Sequence, residues 1–168
     1  RCEAATQVGG DYFDYMELPG SKIGFLIGDV SGHGIAAAIV MAMAKGVFSY
    51  PGFVKDPMQA VQDFNQVLMQ GVKRKKMMTC LMGVVDLNTG MIRMANAGHV
   101  NPIFISRGVG KYLDSSGKPL GVSKRFTAGV IECVLQPGEQ LVLMTDGIPE
   151  AFSRQGGQFG YHRLLSEL

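Results

Sequence analysis

Apolar residues in this chain fall into short runs bounded by glycine, proline and acid–amide turns. Such runs, rich in Val, Ile, Leu, Met and Phe, predict strands at 3–8, 11–17, 22–29, 79–86, 91–96, 102–106, 128–134 and 140–145. Asp86-Leu87-Asn88-Thr89-Gly90 joins two of them as a hairpin, where Asp86 and Asn88 read as turn chemistry more readily than as metal ligands. Two helices interrupt the strands. One runs from about Gly34 to Tyr50 with an alanine-rich apolar body, Ala36 to Ile39 and Met41 to Ala44. The other opens at Asp56-Pro57, a capping acid followed by proline, and continues to about Val72. In it Met58, Val61, Phe64, Val67 and Leu68 recur at helical spacing. A last helical segment covers Tyr161 to Leu168. Helices set between strand pairs, followed by a long run of strands, predict an α+β fold with antiparallel sheet packed on paired helices.

At 168 residues the chain suffices for one domain, 1–168, that buries a core without disulfides. Apolar content of 46% and charged content of 18% are ordinary for a globular protein. The 23 glycines cluster at turns, as many strand connections require. A net charge of +2 carries no sign of nucleic-acid binding. No window approaches the ~18 consecutive apolar residues of a membrane span, and no signal peptide is expected. A cytoplasmic domain without membrane contact of its own is expected. Cys2, Cys80 and Cys133 lack the short spacings of a zinc site and read as reduced core residues. The methionines read as adaptable core packing. Lys73-Arg74-Lys75-Lys76 reads as a solvated helix end beside the C-terminal dipole; a docking patch for an acidic or phosphorylated partner is the sharper alternative. Arg1 in place of an initiating methionine, and a helix stopped at Leu168, lead to the expectation of a fragment from a longer protein.

The chemistry lies in three acids at strand ends: Asp11 in Gly9-Gly10-Asp11-Tyr12-Phe13-Asp14, Asp29 in Gly28-Asp29-Val30-Ser31-Gly32-His33-Gly34, and Asp146 in Leu143-Met144-Thr145-Asp146-Gly147. Each sits beside glycine or a tight turn. Gly-Asp and Asp-Gly pairs are common turn signals, and any one of these acids alone is more often structural. Together they offer the oxygen ligands that Mg²⁺ and Mn²⁺ prefer. A hairpin turning at Pro19-Gly20 can bring Asp11 near Asp29. Asp29 could then bridge two cations, with Asp11 and Asp146 on one each and the Val30 carbonyl assisting. Such a pair of ions activates water toward a phosphate monoester. His33 and His99 are candidate acids for the leaving group, and each can equally bond a local carbonyl; His162 reads as a surface residue.

Along with Ala95-Asn96-Ala97-Gly98-His99, Pro119-Leu120-Gly121 and Thr145-Asp146-Gly147-Ile148-Pro149-Glu150-Ala151, these motifs occur in an order similar to one known family. The chain resembles the bacterial branch of the PPM (PP2C-type) metal-dependent serine/threonine phosphatases, within it the SpoIIE and RsbU group that controls sigma factors. The resemblance implies an αββα sandwich, two antiparallel sheets flanked by helices, with two Mn²⁺ or Mg²⁺ ions held by Asp11, Asp29, Val30 and Asp146. It implies a substrate, phosphoserine or phosphothreonine on a STAS-domain anti-anti-sigma factor, in a partner-switching pathway. It also implies a sensor or receiver domain ahead of this one, and allows a homodimer through the helices. The family pattern continues into a final strand with an Asp-Asp pair that this sequence does not contain. The expectation is therefore a C-terminally incomplete fold with one metal position impaired, the one served by Asp146. A regulatory phosphoprotein-binding module that has lost turnover is the alternative. An enzyme of nucleotides or small phosphate esters would need stacking aromatics or an arginine clamp, for which the sequence offers no candidate.

Overall fold

The first two strands pair antiparallel, β1 (Asp11–Leu18) with β2 (Lys22–Val30), so that Leu18 faces Lys22 at one end and Asp11 faces Asp29 at the other. Between them, residues 19–21 turn with positive φ at Gly20 (79°) and Ser21 (57°), which reverses the chain within a short loop. The computed structural model describes residues 9–50, 56–72, 76–154 and 156–168. The strand expected at 3–8, Cys2 and residues 73–75 lie outside them.

Two helices follow, α1 (Ile35–Phe48) and α2 (Pro57–Gly71). The Asp56 carboxylate caps α2 by accepting the Met58 N–H at 3.0 Å, with Pro57 in the first turn, as the sequence signals. Ala37, Val40, Ala44 and Phe48 bury one face of α1. On α2 the buried stripe runs through Ala60, Val61, Phe64, Asn65 and Leu68, while Val67, expected in it, is exposed.

The remaining strands are β3 (Met78–Asp86), β4 (Met91–Ala97), β5 (Ile103–Ser106), β6 (Val109–Tyr112), β7 (Gly129–Val134) and β8 (Gln140–Val142), followed by α3 (Tyr161–Glu167). A larger sheet runs β1-β2-β3-β4-β7 and a smaller one β6-β5-β8, each antiparallel throughout. The last expected strand, 140–145, pairs only as far as Val142. β6 is a strand the sequence pattern did not give; it pairs with β5 through Arg107 and Gly108, both at positive φ. Asp86 accepts the Asn88 N–H at 3.0 Å and meets Lys22 at 3.6 Å, at the sheet end away from Asp11. It is a turn residue.

Alternation along the strands assigns each side chain to a layer. Leu26, Val30, Met78, Cys80 and Met82 pack with α1 and α2. Phe25, Ile27, Leu81, Ile92, Met94 and Ile131 fill the space between the sheets, with Leu141 and Leu143. Leu164 of α3 packs with Ile103, Ile105 and Met144 on the far side of the small sheet. The order helices, sheet, sheet, helix is the αββα sandwich expected. Burial pushes the Cys80 thiol up to about 12, as befits a core residue; Cys133 is only half-buried.

Candidate functional site

Strand order brings the starts of β1 and β3 and the end of β2 to one edge of the large sheet. Asp11 and Asp29 occupy a directly opposed pair there, and opposed residues in an antiparallel ladder carry their side chains on the same face. Like charges in that position destabilise a hairpin. Asp146 comes to the same edge from the segment after β8, where it opens a helical turn closed by the Glu150 N–H on its carbonyl at 2.8 Å. The Gly160 N–H on the Pro149 carbonyl, also 2.8 Å, ties that turn to the start of α3. Burial, then the charge of Asp11, then that of Asp146 lift the Asp29 carboxyl to about 6, with the Val30 amide pulling the other way. Among the described residues, no cation lies within ion-pair distance of any of these three acids.

Asp14 differs from them. It faces α1, the opposite side of β1 from Asp11, where Lys45 Nζ lies 2.5 Å from its carboxylate and the Tyr12 hydroxyl donates to it at 2.8 Å. Partial burial pushes the Asp14 carboxyl up, but the bonds from Lys45, Tyr12 and the Tyr15 amide outweigh it and hold it below the usual range. Asp14 is the anchor of α1 on β1.

Gly10 shows why the site needs glycine. A Cβ there would collide with the Val30 carbonyl oxygen and stand 2.6 Å from Asp29 Oδ1 and 3.2 Å from the Gly32 carbonyl oxygen. Oxygens of three residues thus converge on a cradle that any side chain would fill. Carboxylates and carbonyls are the donor set of Mg²⁺ and Mn²⁺, so the residues present fit such ions. Among the described residues no three Asp, Glu, His or Cys side chains close into a cage by themselves. An ion here would draw on carbonyl oxygen and retained water as well. Beside the acids, a cleft of about 760 Å³ is lined by Asp11, Phe13, Tyr15, Phe25, Ile27 and Ile148 among others.

The glycine-rich loop after β2 is pinned from below. The Ser31 N–H donates to the Met77 carbonyl at 2.9 Å, the Met77 N–H to Ser31 Oγ at 3.2 Å, and Lys76 Nζ to the Ser31 carbonyl at 2.6 Å. Lys76 therefore departs from the solvated helix end expected of it. His33 is exposed on this loop. His99 is buried, with Nδ1 2.8 Å from Thr79 Oγ1 and its backbone N–H on Asn96 Oδ1 at 2.7 Å. Its Nε2 is a buried atom without a hydrogen-bond partner. Burial lowers its imidazole to about 4, against the opposing pull of the Met144 backbone and the Asp146 charge. Burial thus favours the neutral imidazole, a much weaker acid toward a leaving group than the imidazolium. Asn96 also donates to the His99 carbonyl and to Ser115 Oγ, which fixes the turn at 96–99. Thr79 and the Gly10 cradle were missed in the sequence, and Lys76 was read only as one of a basic run, because each is defined by a partner far along the chain.

A model of the family described as Stage II sporulation protein E (SpoIIE) matches residues 19–168. The chain belongs to this family. It is 29% identical over 90% of its length to phosphoserine phosphatase RsbU of Bacillus subtilis (strain 168), covering 46% of that protein. Among solved structures, it matches the RsbU and RsbW domains of a Mycobacterium tuberculosis protein with a TM-score of 0.76 and 28% identity, over 89% of this chain and 42% of that one. It matches the PP2C phosphatase domain and regulatory-domain fragment of Bacillus subtilis SpoIIE with a TM-score of 0.72 and 26% identity, over 88% of this chain and 44% of that one. This SpoIIE-family chain spans less than half the length of the curated relatives it matches. No helix among its described residues is long and apolar enough to cross a membrane.

Proposed function

We propose that residues 1–168 form a metal-dependent protein serine/threonine phosphatase domain, acting on phosphoserine or phosphothreonine of a STAS-type anti-anti-sigma factor in a cytoplasmic partner-switching pathway. In this reading a sensor or receiver domain of the same protein governs it. The observation that carries the proposal is the opposition of Asp11 and Asp29 across one hairpin, with Asp146 alongside and, among the described residues, no cation paired to any of them. The name of the RsbU relative, a phosphoserine phosphatase, supports the substrate class.

Asp29 would bridge two Mn²⁺ or Mg²⁺ ions, Asp11 and Asp146 would each hold one, and the Val30 carbonyl would add a ligand. When bound, such ions supply an activated water and neutralise charge developing on the phosphoryl group. Asp29 must shed its proton first, which its raised pKa places near the lower edge of physiological pH. His99 holds Thr79, the cross-strand partner of Asp29, through its Nδ1. Protonation of the departing serine oxygen falls to water.

Hydrolysis of a phosphoserine STAS protein by the full chain tests this, with Mn²⁺, with chelator, and with Asp29→Asn. Metal-dependent turnover lost in the variant is expected. Binding without turnover across several phosphoproteins would instead identify a regulatory phosphoprotein-binding module.

A further inference from the structure

Lys76 does something a surface lysine has no reason to do. It leaves solvent, half-buried, to donate to the Ser31 carbonyl at 2.6 Å, and its backbone packs against Gly121, where a Cβ would stand 2.7 Å from the Lys76 carbonyl oxygen. Fixing so flexible a chain costs rotamer entropy. One carbonyl occupies one of its three N–H donors, and an ammonium accepts nothing. Among the described residues, no carboxylate lies within ion-pair distance of it. The structure therefore presents a positioned cation with spare donors.

Its place gives those donors a target. A Cβ on Gly32 would lie 3.0 Å from Lys76 Nζ, and Gly32 is the residue whose carbonyl joins those of Val30 and Asp29 Oδ1 around Gly10. Lys76 precedes β3, whose Thr79 is paired with Asp29, so the ammonium sits at the same sheet edge as the acids. Two divalent ions would outweigh three carboxylates by a single positive charge, whereas a phosphate monoester carries nearly two negative charges. One more positive charge is what the balance lacks. Among the described residues no arginine is found bonded to this loop.

We propose that Lys76 is the phosphate-binding cation of this site: held by the Ser31 carbonyl, it donates its remaining hydrogens to the phosphoryl oxygens of the substrate and of the released phosphate. This rests on the phosphatase reading above and adds the residue that recognises the phosphate itself.

The test compares the full chain with Lys76→Met and Lys76→Arg. Mn²⁺ affinity is measured by calorimetry, inorganic phosphate affinity by calorimetry on the Mn²⁺-loaded protein, and KM and kcat with a phosphoserine peptide. In Lys76→Met, phosphate affinity is expected to fall about tenfold or more, the effect of one charge-assisted bond. KM should rise in step and Mn²⁺ affinity should stay unchanged, melting temperature should fall modestly as the Ser31 carbonyl loses its partner, and Lys76→Arg should recover most of the loss. Equal phosphate affinity in Lys76→Met and the parent would overturn the proposal. So would a parallel loss of Mn²⁺ affinity, which would make Lys76 a prop for the loop alone. Lysine-dependent phosphate binding without turnover of any phosphopeptide would instead sink the phosphatase reading and leave the phosphate site standing.

Discussion

Asp29 illustrates how a site residue works against the fold that carries it. Its carboxyl titrates near 6 in the folded chain against 3.8 for the ordinary group, so the folded state holds the proton more tightly than the unfolded one. Its contribution to stability is complete below the ordinary value and is lost as pH rises through the folded one. In chelated protein, Asp29→Asn should therefore match the parent near pH 4 and exceed it in melting temperature at pH 7 and above. A constant difference across that range would show that the three acids do not interact. Mn²⁺ binding should strengthen over the same window and release a proton, measurable by calorimetry in buffers of different ionisation enthalpy. Gly10 carries the complementary expectation. Gly10→Ala meets a carbonyl and a carboxylate oxygen at once, and should cost about 1–3 kcal/mol by denaturant titration. Mn²⁺ affinity should fall about tenfold with it, as when a supporting contact of a metal site is lost.

At the scale of elements, two kinds of tether hold the helices, one to the large sheet and one to the loop at 121–123. Lys45 joins α1 to β1 through Asp14, but its side chain is 58% exposed, so a double-mutant cycle with Lys45→Met and Asp14→Asn should give no more than about 1 kcal/mol. Asn65 of α2 is buried; it accepts the Gly121 N–H at 2.9 Å and donates to the Ser123 carbonyl at 3.0 Å. Asn65→Leu leaves both backbone groups without partners and should cost about 2–4 kcal/mol, read from the shift in denaturation midpoint. The elements themselves were legible to different degrees. β1 and β2 announced themselves as apolar runs broken by Pro19-Gly20, and α2 through Asp56-Pro57. β6 did not, because Val109-Gly110-Lys111-Tyr112 is short and gives little alternation to read. Asp11 and Asp29 could be paired from the hairpin, since their register follows from one tight turn. The Lys76–Ser31 bond could not, since 45 positions separate its ends and only the β2–β3 pairing brings them together.

For the molecule as a whole, the layer between the sheets is the part that joins everything else. Leu81 lies there fully buried with Ile92, Met94 and Ile131. Leu81→Ala should cost about 2–5 kcal/mol, and a lower melting temperature in calorimetry should accompany it. A second, separate transition in that scan would mean that the two sheets unfold independently. All of the site's acids are presented at one edge of this sandwich, while the turn at 19–21 that sets the pairing of Asp11 with Asp29 lies at the other. Exposed turn tips are ordinarily where a chain best accepts an added or deleted residue. This one is the exception: a single insertion would slide β1 by one place, part Asp11 from its partner and turn it toward α1. The number of residues at this tip is therefore set by the site at the opposite end, even though none of them comes near the chemistry.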